Sequence, residues 1–133
     1  MHSLLVFVGL GQIALAVGSL WLPGMLRWRE DTAQLAPLTR RVFWVYAGYI
    51  LGTNLCLGGL TAFAPDLLLD RSTLARVVAG YGAAYWGTRL VIQFVWFRQV
   101  APKGKGYALA DLAVTLGFAL WAATYGAVLF DLW

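Results

Sequence analysis

The chain has 133 residues, 61% of them hydrophobic and only 12% charged, with ten Lys and Arg against six Asp and Glu and a net charge of +4. Soluble domains carry about 25% charged residues, so the polar side chains here are too few to clothe a water-soluble enzyme or a nucleic-acid-binding domain. The expectation is an all-α integral membrane protein, a four-helix bundle with short loops, forming one polytopic domain over residues 1–133.

Four runs have the roughly 20 residues that a helix needs to cross hydrocarbon: Ser3–Leu22, Val42–Ala64, Thr73–Phe97 and Tyr107–Phe130. None shows the apolar/polar alternation of a membrane β-strand, and Pro23, Pro37, Pro65 and Pro102 all lie between the runs, where proline breaks no helix. Ala14-Leu15-Ala16 has the small residues of a signal-peptide cleavage site, but no Lys or Arg precedes the first run, which favours a retained helix. After it comes the longest connection, Pro23 to Arg41, in which Met25–Ala36 is expected to form a short interfacial helix with Trp28 and Leu35 toward lipid. The second run carries Gly48-xxx-Gly52 followed by Cys56, the third Ala79, Ala83 and Gly87, and the fourth Ala119, Ala123 and Ala127. Rows of small residues let helix backbones approach in lipid. They are expected mainly to hold this bundle together; the alternative is that one row serves self-association or docking to a partner.

Arg27, Arg29, Arg40 and Arg41 lie in the first connection and Arg98, Lys103 and Lys105 in the third, against Arg71 and Arg76 in the second: seven cations to two. Positive charge is retained in the cytoplasm, so both termini are expected on the outer side of a plasma or bacterial inner membrane. Trp21, Trp28, Trp44 and Trp96 then gather at the cytoplasmic interface and Trp133 at the other. The basic loops would meet membrane lipids, anionic headgroups among them.

Ionisable residues inside a span are costly and merit a functional hypothesis. Arg76 is near enough to the outer end to reach headgroups, and Asp111 stands a turn from the cytoplasmic end of the fourth run. Arg89 lies about 13 Å deep at 1.5 Å per residue. On the third helix Gly82, Tyr85, Trp86, Arg89, Gln93 and Trp96 share a face. Gln12, Thr53 and Asn54, with Tyr46 and Tyr49, supply polar groups from the first two runs, and Asp111 and Thr115 from the fourth. Two readings follow. In one, Arg89 pairs with Asp111 and the amides glue helices together. In the other, Arg89, Gln93, Asn54, Gln12, Tyr85, Trp86, Tyr49 and Asp111 form a ligand site open toward the cytoplasm, suited to a carboxylate, a quinone, an isoprenoid phosphate or a lipid headgroup.

With His2 the only histidine and Cys56 the only cysteine, ligands for haem or zinc are lacking, and no cofactor is expected. No GxSxG, HExxH, Walker or GxGxxG pattern occurs, and no residue is assigned a catalytic role. Size and helix count resemble the small multidrug transporters, but where that family carries a membrane-embedded glutamate this chain reads Gly11-Gln12-Ile13, so proton-coupled export is not expected. The leading expectation is a protein that acts by binding, as a subunit of a larger membrane complex or a homo-oligomer. A transporter or lipid- or small-molecule-binding protein centred on Arg89 comes second, and a membrane-embedded enzyme acting on a lipid-like substrate third.

Overall fold

In the computed structural model, which describes residues 1–133, the chain is 84% helix and contains no strand. The first helix, α1 (His2–Gly18), runs through a 3-10 turn at Ser19–Trp21 into α2 (Leu22–Met25). Pro23 is tolerated because it stands in the first turn of α2, where a missing N–H interrupts no helical bond. The apolar segment therefore extends to Met25, past the predicted end at Leu22. Beyond it, α3 (Trp28–Thr32) is only five residues long. Its Trp28, half-buried, packs edge-on against Phe43 and Trp44, at centroid distances of 5.1 and 6.1 Å.

Helix α4 (Pro37–Phe63) opens with Pro37 at its first position, five residues earlier than predicted. Ala64 breaks it, α5 (Pro65–Leu69) follows, and α6 (Thr73–Val95) starts where the Ser72 hydroxyl accepts the Ala75 N–H at 3.0 Å, an N-cap. α6 stops at Val95 rather than Phe97, because Phe97–Gln99 forms a separate 3-10 turn. α7 (Lys105–Leu129) completes the chain. The segments His2–Met25, Pro37–Phe63 and Lys105–Leu129 are long and apolar enough to cross a membrane, compatible with an integral membrane protein. α6 matches them in length, with 23 residues, but Arg76, Arg89 and Gln93 dilute its hydropathy.

The long helices pack as two hairpins, α1 on α4 and α6 on α7, joined mainly along α1 and α7. Gly9 and Gly58 make the first hairpin tight: a Cβ on Gly9 would stand 2.7 Å from Ala62 Cα, and one on Gly58 3.1 Å from the Gly9 carbonyl oxygen. In the second, Gly82 lies under the Tyr125 ring, which a Cβ would meet at 2.7 Å. These glycines bring the backbones together. Gly48 and Gly52, expected to help do so, face open space. Trp86 is stacked on Phe118 at 5.4 Å and edge-on to Trp121 at 4.6 Å, filling the centre between α6 and α7. Where α6 begins and α7 ends, Asp131 forms an ion pair with Arg71 at 3.5 Å and accepts a hydrogen bond from Arg76 at 3.0 Å, so Arg76 fastens the C-terminal turn.

Candidate functional site

The most enclosed polar atoms lie at the crossing of the four long helices. The Gln12 amide of α1 donates to the Tyr125 hydroxyl of α7 at 2.8 Å, and the Trp86 indole of α6 donates to the Gln12 carbonyl oxygen at 3.2 Å. Thr61 of α4 shares a 2.6 Å bond with the Tyr125 hydroxyl and bonds the Leu57 carbonyl oxygen at 2.7 Å. All four side chains are inaccessible to solvent. A junction so closed, with each member bonded to another, fixes the relative positions of the helices; it offers no room to a ligand. Thr61 and Tyr125 escape sequence reasoning because hydroxyls are common on apolar helices, where they often bond their own backbone.

A second polar contact bridges α4 and α6, which otherwise touch little: the Tyr85 hydroxyl donates to the Asn54 carbonyl oxygen at 2.6 Å. Between the same helices runs an open groove of about 490 Å³, bordered by Gly48, Tyr49, Gly52 and Cys56 on α4 and by Tyr81 on α6. Tyr49 stands on its rim, 69% exposed, and has no part in the buried junction.

The third group sits at the other end of the α6–α7 hairpin. Asp111 accepts the Gln93 amide and a bidentate Arg98 guanidinium, whose Nε and Nη2 lie 3.2 and 3.0 Å from one carboxylate oxygen. Arg98 also reaches the Thr115 hydroxyl at 3.5 Å. Asp111 is thus engaged by Arg98, not by Arg89 as the sequence invited. The reason is local: the 3-10 turn after Val95 swings Arg98 back over α7. Arg89 instead lies between aromatic rings, its guanidinium carbon 4.7 Å from the Phe97 centroid and 5.1 Å from that of Phe118. Both rings are within cation–π range, but neither accepts an N–H in the way an oxygen would, and the buried Nη1 has no hydrogen-bond partner.

The eight residues singled out from the sequence therefore divide among separate places. Gln12 and Trp86 belong to the closed junction, Asn54 and Tyr85 to the α4–α6 bridge, Tyr49 to the groove, and Gln93 and Asp111 to the Arg98 cluster, with Arg89 in its own aromatic surroundings. No three His, Cys, Asp or Glu side chains come together as metal ligands would. No family model matches the chain, and no curated protein or solved structure does so either.

Proposed function

We propose that the chain is a four-helix integral membrane protein that acts by binding, through α4, a second copy of itself. The observation that carries this reading is the open groove along Gly48, Gly52 and Cys56. A Cβ added at either glycine would meet nothing within 4 Å, so the Gly48-xxx-Gly52 row of α4 is left unused by its own fold. Gly-xxx-Gly is the spacing at which parallel helices cross with their backbones in contact, and two copies related by an axis along the membrane normal present it to each other. Lipid is the natural surroundings of the rest of the surface: only 24 of 133 residues are buried, while Phe7, Tyr49, Phe63, Leu74 and Leu109 stand out from the helices. α6 crosses with the others, its Arg76 held by Asp131 at one end and Arg89 covered by Phe97 and Phe118. The seven cations of the first and third connections put these loops in the cytoplasm and both termini outside a plasma or bacterial inner membrane.

Cys56, one turn beyond Gly52 and exposed, supplies the test. Treating membranes with a short bis-maleimide should link two chains at Cys56, and Gly52→Leu should abolish the product. Native mass spectrometry in mild detergent should give twice the chain mass for the wild type. A bare monomer with no cross-link would sink the proposal, and a stoichiometric foreign protein in place of the second copy would replace it with a subunit role.

A second reading is favoured by one observation, the unpartnered Nη1 of Arg89. An arginine at depth costs about 2.5–3.5 kcal/mol, and buried polar atoms without partners are rare enough to require a reason. In this reading the chain binds a lipid or small anionic molecule beside Arg89. Native mass spectrometry of protein taken gently from membranes should then reveal a retained small molecule that Arg89→Gln loses.

A further inference from the structure

Asp111 has two arginines near it and holds one of them. Its carboxylate accepts the Gln93 amide through one oxygen, and Nε and Nη2 of Arg98 through the other. Arg89 stands four residues before Gln93 on α6, one helical turn away on the same face, the separation that i,i+4 ion pairs bridge. Its guanidinium lies between Phe97 and Phe118, with centroids at 4.7 and 5.1 Å, and its buried Nη1 has no hydrogen-bond partner. Arg98 also reaches the Thr115 hydroxyl at 3.5 Å, and Thr115 falls on α7 between Asp111 and Phe118. Arg98 thus occupies the stretch of α7 that Arg89 would cross to meet the carboxylate. Phe97 and Arg98 belong to one 3-10 turn, Phe97–Gln99, beyond the end of α6. The ring that covers Arg89 and the cation that has taken its anion are neighbours in the chain, and they leave together.

We propose that Asp111 passes between the two arginines, and that the Phe97–Gln99 turn is a strap opened and closed by this exchange. In the structure the strap is closed. In the open state Arg89 donates to Asp111, Gln93 keeps the other carboxylate oxygen, and Phe97 and Arg98 swing outward. The two pairings offset each other. The Arg98 side chain is 41% exposed, so water replaces much of what it gives up. Arg89 loses the Phe97 ring but gains an acceptor for a guanidinium that has a buried N–H group unbonded. Opening withdraws Arg98 from the wall of the pocket that it shares with Lys103, Tyr107 and Asp111, and uncovers one side of Arg89. The strap thereby couples the α6–α7 connection to a cation inside the bundle. It involves side chains of one chain only and depends on neither reading above.

Partners that replace each other reveal it in a double-mutant cycle, measured as the unfolding equilibrium in mixed micelles. The variant Arg89→Gln/Arg98→Gln should shift that equilibrium by about tenfold more than the product of the two single effects, as residues sharing a partner do. A product without excess would overturn the exchange. If both single variants accumulate and only the double variant fails to, the excess is met in its extreme form. The second readout is side-chain NMR of Arg98→Gln labelled with 15N-arginine. The Arg89 Nε–Hε resonance should move when Arg98 is removed, and return when Asp111→Asn is added. A resonance that ignores Arg98→Gln would overturn the proposal. Failure of Arg98→Gln to accumulate would do so too, because Arg89 would not have replaced it. Should Arg89→Gln alone fail to accumulate, the resonance decides.

Discussion

Tyr125 joins more of the molecule than any other polar residue: its hydroxyl meets Gln12 and Thr61, and its ring covers Gly82. Tyr125→Phe keeps the ring and deletes one oxygen, leaving a Gln12 N–H without an acceptor. Hydrogen bonds between membrane helices average about 0.6 kcal/mol and reach about 1.7, so a loss of about 1 kcal/mol is expected in denaturant titration in mixed micelles. Gln12→Leu removes the acceptor of the Trp86 N–H and one of the two partners of the Tyr125 hydroxyl and should cost about 2 kcal/mol by the ordinary penalty for orphaned buried groups. Wild-type stability in both variants would show the junction to be incidental. Outside the helices, Asp70 accepts the Ser72 N–H at 2.8 Å, just before α6. Bonds from the Ser72 hydroxyl, and then from its backbone N–H, hold the carboxyl below its ordinary value. A group with a depressed folded pKa contributes stability above its unfolded value, about 3.9 for Asp, and loses it as pH falls through the folded one. Asp70→Ala should therefore melt below the wild type at pH 5, with the gap closing as the pH falls below about 3.9. Gln12, Trp86, Asn54 and Tyr85 were legible in the sequence because amides and polar aromatics stand out in apolar runs. Their partners were legible only in part, since a partner is a matter of helix rotation.

Among the helices, glycine position decides how closely backbones approach, and two glycines of the same chain behave in opposite ways. A Cβ at Gly9 would collide with the backbone of Ala62, which cannot move without shifting α4. Gly9→Ala should destabilise by about 1–3 kcal/mol, the usual cost of overpacking. Gly48→Ala meets nothing and gains up to about 1 kcal/mol of helix propensity, so it should leave the isolated chain as stable or more so in the same titration. Equal losses in both would contradict the packing described here. With 15 glycines in the chain, spacing alone could not tell these cases apart. Gly48-xxx-Gly52 has the better motif, but Gly9 and Gly58 have the neighbour. The helix ends were misjudged for local reasons: Pro37 starts α4 and Pro23 sits in the first turn of α2, both permitted positions that a rule of proline as breaker excludes. The turn at Phe97–Gln99 had no apolar signature of its own, and through it Asp111 came to Arg98 rather than Arg89.

For the whole molecule, the proposed orientation rests on charge placement rather than on packing, because neither hairpin distinguishes the two sides of a bilayer. The seven-to-two distribution of cations is the basis of the proposed orientation, since Lys and Arg near span ends resist translocation. Two reporter positions read the result once Cys56→Ser has removed the native thiol. Leu67 is exposed on α5, and Gly106 is exposed at the start of α7 with no neighbour within 4 Å of an added Cβ. In intact cells a membrane-impermeant maleimide should label Leu67→Cys, while Gly106→Cys should react only after permeabilisation. The reverse pattern would invert the molecule, and labelling of both without permeabilisation would deny that α6 crosses. That last outcome is the sharpest, because α6 is the one long helix whose hydropathy leaves the matter to its arginines. Replacing Arg27, Arg29, Arg40 and Arg41 with glutamine leaves three cations against two. The orientation should then become mixed, with a fraction of Gly106→Cys labelled from outside. If it stays uniform, the third connection alone sets the topology, and Arg98, Lys103 and Lys105 become the residues whose neutralisation should turn it over.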